Sequence, residues 1–368
     1  MEKSHEKPLI QTMNVRSAPR QPQEYYESIK QKFAEERDLR LKYRPEGTRQ
    51  YTSDLNGSFA RYEIDPYGGE TTPREPISDT VECLFIGGGF SALLTSARLR
   101  ECGVESIRIV ERGGDVGGTW YWNRYPGAAC DVVAYDYLPL LDETGYVPTR
   151  HYAKAPEIFA YCQSIAKRYN LYDLAIFQTT VTSTVWNEEE QMWHVGTDRG
   201  DHLRAKFVIC ANGTLSKPKL SKIKGMETFK GHSFHTSRWD YEYTRPDLSG
   251  LADKVVGIIG TGATAVQAIP RLGAAAKELY VFQRTPSSID LKDDWPTDSE
   301  WAQKLHPGWQ AKRRERARME ARRMEEGRDL RGVSREEKIR RQENANIDYM
   351  MRIHKRIEEI VKDKATAE

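Results

Sequence analysis

Two short runs of consecutive apolar and β-branched residues set the pattern of this chain, each broken by glycines and followed by apolar positions at helical spacing. In the first, residues 81–86 (Val-Glu-Cys-Leu-Phe-Ile) read as a strand that a parallel sheet would bury on both faces. Gly87, Gly88 and Gly89 end it, and Leu93, Leu94, Ala97 and Leu99 then mark a helix. In the second, residues 255–259 give way to Gly260-Thr261-Gly262, and Val266, Ile269 and Leu272 carry the helical period. A further strand follows each helix, at residues 106–110 and 279–282. Strand, glycine turn, helix and strand, repeated in that order, predict an α/β protein with two dinucleotide-binding, Rossmann-like domains.

The remaining pattern fills in around these units. Residues 22–43 are charged, with Tyr25, Ile29, Phe33 and Leu39 as a sparse apolar face at helical spacing, and turn-forming Pro, Gly and Asn then recur as far as Pro76. This stretch carries no chemistry. Its aromatic residues (Tyr51, Phe59, Tyr62, Tyr67) predict an extension over residues 1–78 that wraps the following domain. Residues 79–228 read as the first nucleotide-binding domain, with a helix at 156–169 and strands at 176–186, 192–195 and 207–211 that form an inserted β-meander. Residues 229–249 read as a hinge. Residues 250–368 read as the second domain with a helical insert, because basic and acidic residues intersperse at helical spacing from about residue 300, the pattern of a solvated helix face.

Composition narrows the class. Hydrophobic residues at 38% and charged residues at 30% of 368 supply material for two or three cores. Lys+Arg 56 against Asp+Glu 54 leaves +2, too balanced for a nucleic-acid or membrane-surface binder. The polar N-terminus leads into no apolar leader, and no run approaches the roughly 18 apolar residues of a membrane span. Cys83, Cys102, Cys130, Cys162 and Cys210 are scattered and form no C-x-x-C pair, which argues against a disulfide framework or zinc site and for a reducing, cytoplasmic compartment.

The glycine turns carry the chemistry. In each, the first glycine (Gly87, Gly260) makes the tight turn and the second (Gly89, Gly262) lets the backbone approach a phosphate. Ala92 and Ala265 permit close helix packing, and the helix directs its N-terminus at the anion. Glu111 stands as far beyond Gly87 as Arg284 stands beyond Gly260. A carboxylate there accepts ribose hydroxyls, as FAD or NAD offers; a guanidinium pairs with a 2′-phosphate, so the second site prefers NADP, with Thr285 adding a hydroxyl. Between the sites, Gly113 to Asp131 combines Gly117-Gly118 with Thr119-Trp120-Tyr121-Trp122, the wall a flat amphipathic ring system needs. Asp131 alone also reads as a helix cap. His232 and His235 invite a metal, but lack a third ligand at suitable spacing, so no metal is expected.

Two glycine turns joined by Phe229-x-Gly231-x-x-x-His235-x-x-x-Trp239-Asp240 resemble the flavin-dependent Baeyer–Villiger monooxygenases, over about residues 80–286. The resemblance implies FAD at the first site and NADPH at the second, with a ketone and O2 as reactants and an ester or lactone as product, by way of a C4a-peroxyflavin. It implies that Thr119 to Trp122 line the flavin and that Asp131 and Tyr137 lie near the isoalloxazine and nicotinamide. Phe90, Cys130 and Val181 join the cofactor contacts, as do Thr261, Ala263, Thr264, Val266 and Gln267. Phe229 and Trp239 would anchor the hinge in the cores of two domains, with His235 hydrogen-bonding backbone between them. The family places its catalytic arginine beyond Glu368, where Asp131 would orient it, so both folds are expected to be incomplete and a separate polypeptide supplying the C-terminal half stays open. An N- or S-oxygenating flavin monooxygenase and a non-catalytic remnant stay open as well.

Overall fold

The computed structural model describes residues 21–42, 51–52, 55–284, 292, 294–326 and 333–362. In chain order, α1 (Gln23–Lys42) and β1 (Tyr51–Thr52) precede β2 (Ser78–Ile86), α2 (Phe90–Glu101) and β3 (Ile107–Val110). Short helices α3 (Thr119–Trp122), α4 (Ala134–Tyr137) and α5 (Leu141–Thr144) lead to α6 (Ala155–Arg168). Five strands follow: β4 (Ala175–Ile176), β5 (Val181–Asn187), β6 (Met192–Thr197), β7 (His202–Cys210) and β8 (Leu220–Ser221). After α7 (Tyr241–Thr244) come β9 (Val255–Ile259), α8 (Ala263–Ala275) and β10 (Glu278–Phe282). Helices α9 (Ser299–Gln303), α10 (Trp309–Glu326) and α11 (Arg335–Ile360) complete the series. Among the described residues, no helix is long and apolar enough to cross a membrane.

The chain divides into two compact units, one drawn from residues 1–49, 286–293 and 306–368, the other from 50–285 and 294–305. The stretch read as a single extension, 1–78, is therefore shared between them. In the smaller unit α1 lies along α11, where Tyr26 donates to Asp348 at 3.0 Å and Lys30 pairs with Glu343 at 2.8 Å. The helix forms where the pattern predicted it. Its buried position, however, is Tyr26, while Phe33 and Leu39 face solvent.

The larger unit holds both glycine turns. Its main sheet has the order β4-β3-β2-β7-β6-β5. β2 lies parallel to β3 and β7, with Phe85 opposite Ile109 on one side and Ile209 on the other. Consecutive apolar residues suit this central place, and Leu84 and Phe85 are fully buried; each such side chain contributes about 1.5–3 kcal/mol on burial. α2 buries Ala92, Leu93 and Ala97, and α6 buries Ile158, Cys162 and Ile165. The meander β5-β6-β7 extends this same sheet, because residues 202–205 of β7 pair with both β2 and β6. The single strand read over 176–186 is two: β4 pairs with β3, β5 with β6, and Gln178 breaks the run with φ +51. A left-handed residue cannot continue a strand.

β9 and β10 form a second, parallel sheet, with Gly257 opposite Tyr280. α8 packs Ala265, Ala268 and Leu272 against a cluster of Trp239, Leu248, Leu251 and Ile258. Val255, Ile259, Tyr280 and Phe282 on this sheet are exposed. The segment from Leu55 to Tyr67 docks as its aromatics suggested: Leu55 and Tyr62 are buried with Leu220, and Phe59 packs against them.

Candidate functional site

The first glycine turn is built by backbone contact. Gly87 leaves β2 with φ +106, and a side chain there would stand 2.9 Å from the Ala211 carbonyl oxygen. At the end of β3, buried Glu111 accepts the Gly88 N–H on Oε2 at 2.5 Å and the Gly113 N–H on Oε1 at 2.6 Å. Burial raises its carboxyl pKa, against the pull of those two donors. Gly117 donates to the Gly88 carbonyl at 2.9 Å, so the 113–118 loop is stitched directly onto the first turn. Gly89 begins α2 with no side-chain cap, and Phe90 and Ala92 lie in its first turn.

The aromatic loop divides its side chains. Trp120 donates its indole N–H to Tyr137 at 3.0 Å, the Phe90 ring meets Tyr137 edge-on, and burial pushes the Tyr137 hydroxyl up to about 12. Tyr121 donates to Asp65 at 2.5 Å and accepts the Gly114 N–H at 2.9 Å. Two guanidinium groups lie over Trp122, Arg112 at 4.5 Å and Arg238 at 4.3 Å from the ring centre. Arg124 stands 4.2 Å from the Tyr67 ring and 4.7 Å from those of Tyr121 and Phe159. Of Thr119 to Trp122, Tyr121 and Trp122 are 1% and 2% exposed.

Asp65, Arg112, Arg124 and Arg238 were not singled out in the sequence. Asp65-Pro66 reads only as a turn, and a base among aromatics leaves no mark on periodicity. Arg238 is 5% exposed, donates to the carbonyls of Ile64, Ser216 and Ser237, and burial with Arg112 nearby lowers its pKa to about 10. Replacing Asp65 with Ala leaves the buried Tyr121 hydroxyl proton without its acceptor and removes one of the two acceptors of the Gly114 N–H, the other being the Tyr121 oxygen. A loss of about 2 kcal/mol in urea unfolding is expected, with Asn intermediate because its carbonyl still accepts.

The linker behaves differently at its two ends. Trp239 is 3% exposed, donates its indole N–H to Thr244 at 3.0 Å and its backbone N–H to the Tyr67 hydroxyl at 3.0 Å. Phe229 is 64% exposed and anchors no core; its ring folds over Gly231, where an added Cβ would meet it at 2.5 Å. His235 stays local, accepting the Ser237 N–H on Nδ1 at 3.2 Å to cap a short helical turn. Burial and Arg238 lower its pKa to about 4, so it is neutral and able to accept at neutral pH. His232 pairs instead with Asp240 at 2.9 Å, and Asp240 caps α7. Among the described residues, no group of three or more His, Cys, Asp or Glu is placed to hold a metal.

Asp131 is exposed. The backbone on either side of it pairs with residues 151–155: Cys130 N–H to Ala153 O at 3.0 Å, Ala134 N–H to His151 O at 2.7 Å. Asp294 fixes that second segment through Arg150, Lys154 and the Tyr152 N–H. From α8, Gln267 reaches Tyr125, Ala129 and Asp131. At the second turn Gly260 has φ +100, and Ala263, Thr264, Ala265 and Val266 open α8 with no side-chain cap. Gln283 ties the end of β10 to Thr261 at 3.0 Å, and exposed Arg284 donates to the Tyr51 hydroxyl at 3.0 Å. Thr285 lies outside the described residues. Val181 stands apart, packed with Leu84, Val110 and Ile176.

A family model described as pyridine nucleotide-disulphide oxidoreductase matches residues 84–352. The chain is 53% identical over 292 residues to neopentalenolactone D synthase of Streptomyces avermitilis, covering 78% of this chain and 48% of that protein. It is 51% identical over 289 residues to a Baeyer-Villiger monooxygenase of Stachybotrys chlorohalonatus, covering 77% and 46%. Among solved structures it is similar to a polycyclic ketone monooxygenase from Thermothelomyces thermophila, with a TM-score of 0.76 and 32% identity, covering 91% of this chain and 62% of that one. The chain spans about half the length of the curated relatives it matches.

Proposed function

Since this chain belongs to the pyridine nucleotide-disulphide oxidoreductase family, and within it to the flavin-dependent Baeyer–Villiger monooxygenases, we propose that it serves an FAD- and NADPH-dependent insertion of oxygen beside a ketone carbonyl. The observation that carries this reading is the pair of matched glycine turns in one compact unit, one completed by Glu111 and the other by Arg284. The residues present fit the cofactors. A side chain added at Gly260 or Gly262 would meet no atom within 4 Å, and α2 and α8 both begin without a side-chain cap. Backbone N–H groups thus remain for phosphate at each turn.

FAD and NADPH, when bound, would supply hydride transfer and the activation of O2. The protein's part is to bind and orient. Gly87, Gly89 and the first turn of α2 would hold the pyrophosphate of FAD, and Glu111, which binds the Gly88 and Gly113 N–H groups, would accept from its ribose on the remaining lone pairs. Gly260, Thr261, Gly262 and the first turn of α8 would hold that of NADPH, and Arg284 would pair with its 2′-phosphate. Trp120, Tyr137 and Phe90 would form the aromatic wall, and Asp131 would lie at the reacting centre. A small-molecule ketone and O2 are the reactants, and a reducing, cytoplasmic setting suits five cysteines of which none is in a disulfide.

The test is the visible absorbance of the purified protein with FAD, before and after NADPH or NADH in air. Flavin bands that bleach with NADPH but not NADH support the reading; a protein that retains no flavin sinks it. Replacing Arg284 with Ala is expected to lower the preference for NADPH over NADH by about 10- to 100-fold, the worth of a charge-assisted phosphate contact. Rates of flavin reduction against each nucleotide would measure it.

A further inference from the structure

We propose that Gln267 is a positioning residue for the reacting centre: from the second nucleotide-binding helix it holds Asp131 and the 125–131 turn, so the state of the second glycine turn is transmitted to the carboxylate that the functional reading places at that centre. The proposal deepens the functional reading above and rests on its placement of Asp131 and of the nucleotide at α8.

A carboxamide has two N–H donors and two oxygen lone pairs, and all four are used here. Oε1 accepts from the Tyr125 hydroxyl at 2.8 Å and the Ala129 N–H at 3.2 Å. Nε2 donates to the Ala129 carbonyl at 3.0 Å and to Asp131 Oδ1 at 3.2 Å. The amide reads one backbone residue from both sides and fixes the carboxylate two positions on. Its hydrogen-bonding capacity is spent on the 125–131 turn, which makes it a structural link from α8 to Asp131.

The second observation is independent of that side chain. Gly127 has φ +85, and a Cβ there would lie 2.4 Å from the Gln267 carbonyl oxygen. The turn therefore rests backbone to backbone on α8. Gln267 lies in the second turn of the helix whose open N-terminus follows Gly262. A displacement of α8 on nucleotide binding must carry the amide, and with it Ala129 and Asp131.

Substitution by Glu separates this role from simple packing. Gln267→Glu replaces the donor facing Asp131 with a second carboxylate oxygen. The other ionisable or charged groups here are Tyr125, Cys130 beside Asp131, Arg271 alongside Gly127, and Lys154 across the Ala129 pairing, itself bound to Asp294. Asp294 is the one further carboxylate among them, and Arg150 and Lys154 pair with it. Two carboxylates at this separation repel when both are ionised and share a proton when pH falls.

The experiment is a double-mutant cycle over about pH 6 to about pH 9 with Gln267→Glu, Gln267→Leu, Asp131→Asn and the Glu/Asn pair. Thermal melting of the cofactor-free protein and NADPH-driven flavin reduction of the flavin-loaded, full-length protein are the two readouts. Gln267→Glu is expected to slow flavin reduction about tenfold at the high end and to recover toward wild type at the low end. Its melting deficit should grow with pH in parallel. Asp131→Asn should erase both pH dependences, while Gln267→Leu should show a deficit that pH does not change. Equal behaviour of the Glu and Leu variants at every pH overturns the proposal, as does a pH dependence that survives Asp131→Asn. A melting cycle that shows coupling while flavin reduction is unaffected overturns transmission to the reacting centre. Coupling in the melts of a protein that binds no flavin instead sinks the functional reading and leaves the link standing.

Discussion

Glu111→Ala is expected to lose FAD and about 3 kcal/mol of stability, because each of the two buried N–H groups it orphans costs about 1–3 kcal/mol, partly offset by relief of a buried charge. The carboxylate binds Gly88 on one side and Gly113 on the other, so the change loosens the first turn and the flavin-side loop together. Gln does not rescue it fully, since its amide accepts at one oxygen only and sets an N–H against the other donor. Urea unfolding of the cofactor-free protein reads the stability, and flavin absorbance after gel filtration reads retention. The pH dependence has a definite sign. Burial holds the folded carboxyl above its unfolded pKa, so its contribution is complete below that unfolded value, about 4.3, and is lost as pH rises through the folded one. The Ala variant should lack this decline.

Asp201→Ala should be at least as severe, with a loss of about 3–5 kcal/mol, the range for breaking a buried ion pair. Asp201 is wholly buried and takes both Arg74 nitrogens at 2.6 Å, the Ile77 N–H at 2.8 Å and the Thr197 hydroxyl at 2.7 Å. It fastens the segment entering β2 to the turn between β6 and β7. Here the linkage runs the other way. The Arg74 guanidinium holds the carboxyl well below the usual carboxylate range, so the stabilisation is present above the unfolded pKa, about 3.9, and is lost as pH falls toward the folded one. Wild type should therefore lose stability on acidification more steeply than the variant, which circular dichroism against pH would show. Equal acid slopes would sink the assignment.

The glycine turns, the strands before them and the helices after them were legible because their requirements are local: a φ only glycine adopts easily, an apolar run, a helical period. Spacing alone picked out Glu111 and Arg284, and the structure puts Glu111 directly after β3 and Arg284 two residues after β10. What stayed hidden depends on distant partners. Gln178 breaks the run read as one strand because its N–H reaches Gly113 and its amide reaches Gly68. The face of α1 was misjudged because α11 meets it with Asp348 and Glu343, polar partners to which an apolar periodicity is blind. Phe229 looked like an anchor by hydrophobicity, yet Gly231 leaves a place for its ring against the linker itself. Asp65, Asp201, Arg124 and Arg238 look like ordinary surface charges until the fold brings rings and carbonyls around them.

The aromatic loop is gripped from outside its own sequence: Asp65 holds Tyr121, Arg238 and Arg112 cover Trp122, and Arg124 fills the space among three rings. A loop fixed this way has already surrendered its freedom, roughly 1–2 kcal/mol for each residue's backbone, before any ligand arrives. Cofactor association then carries little ordering entropy and proceeds as docking onto a rigid surface. The segment around Asp65 holds that loop through Tyr121 and Gly114, so its contribution to ligand affinity is preorganisation.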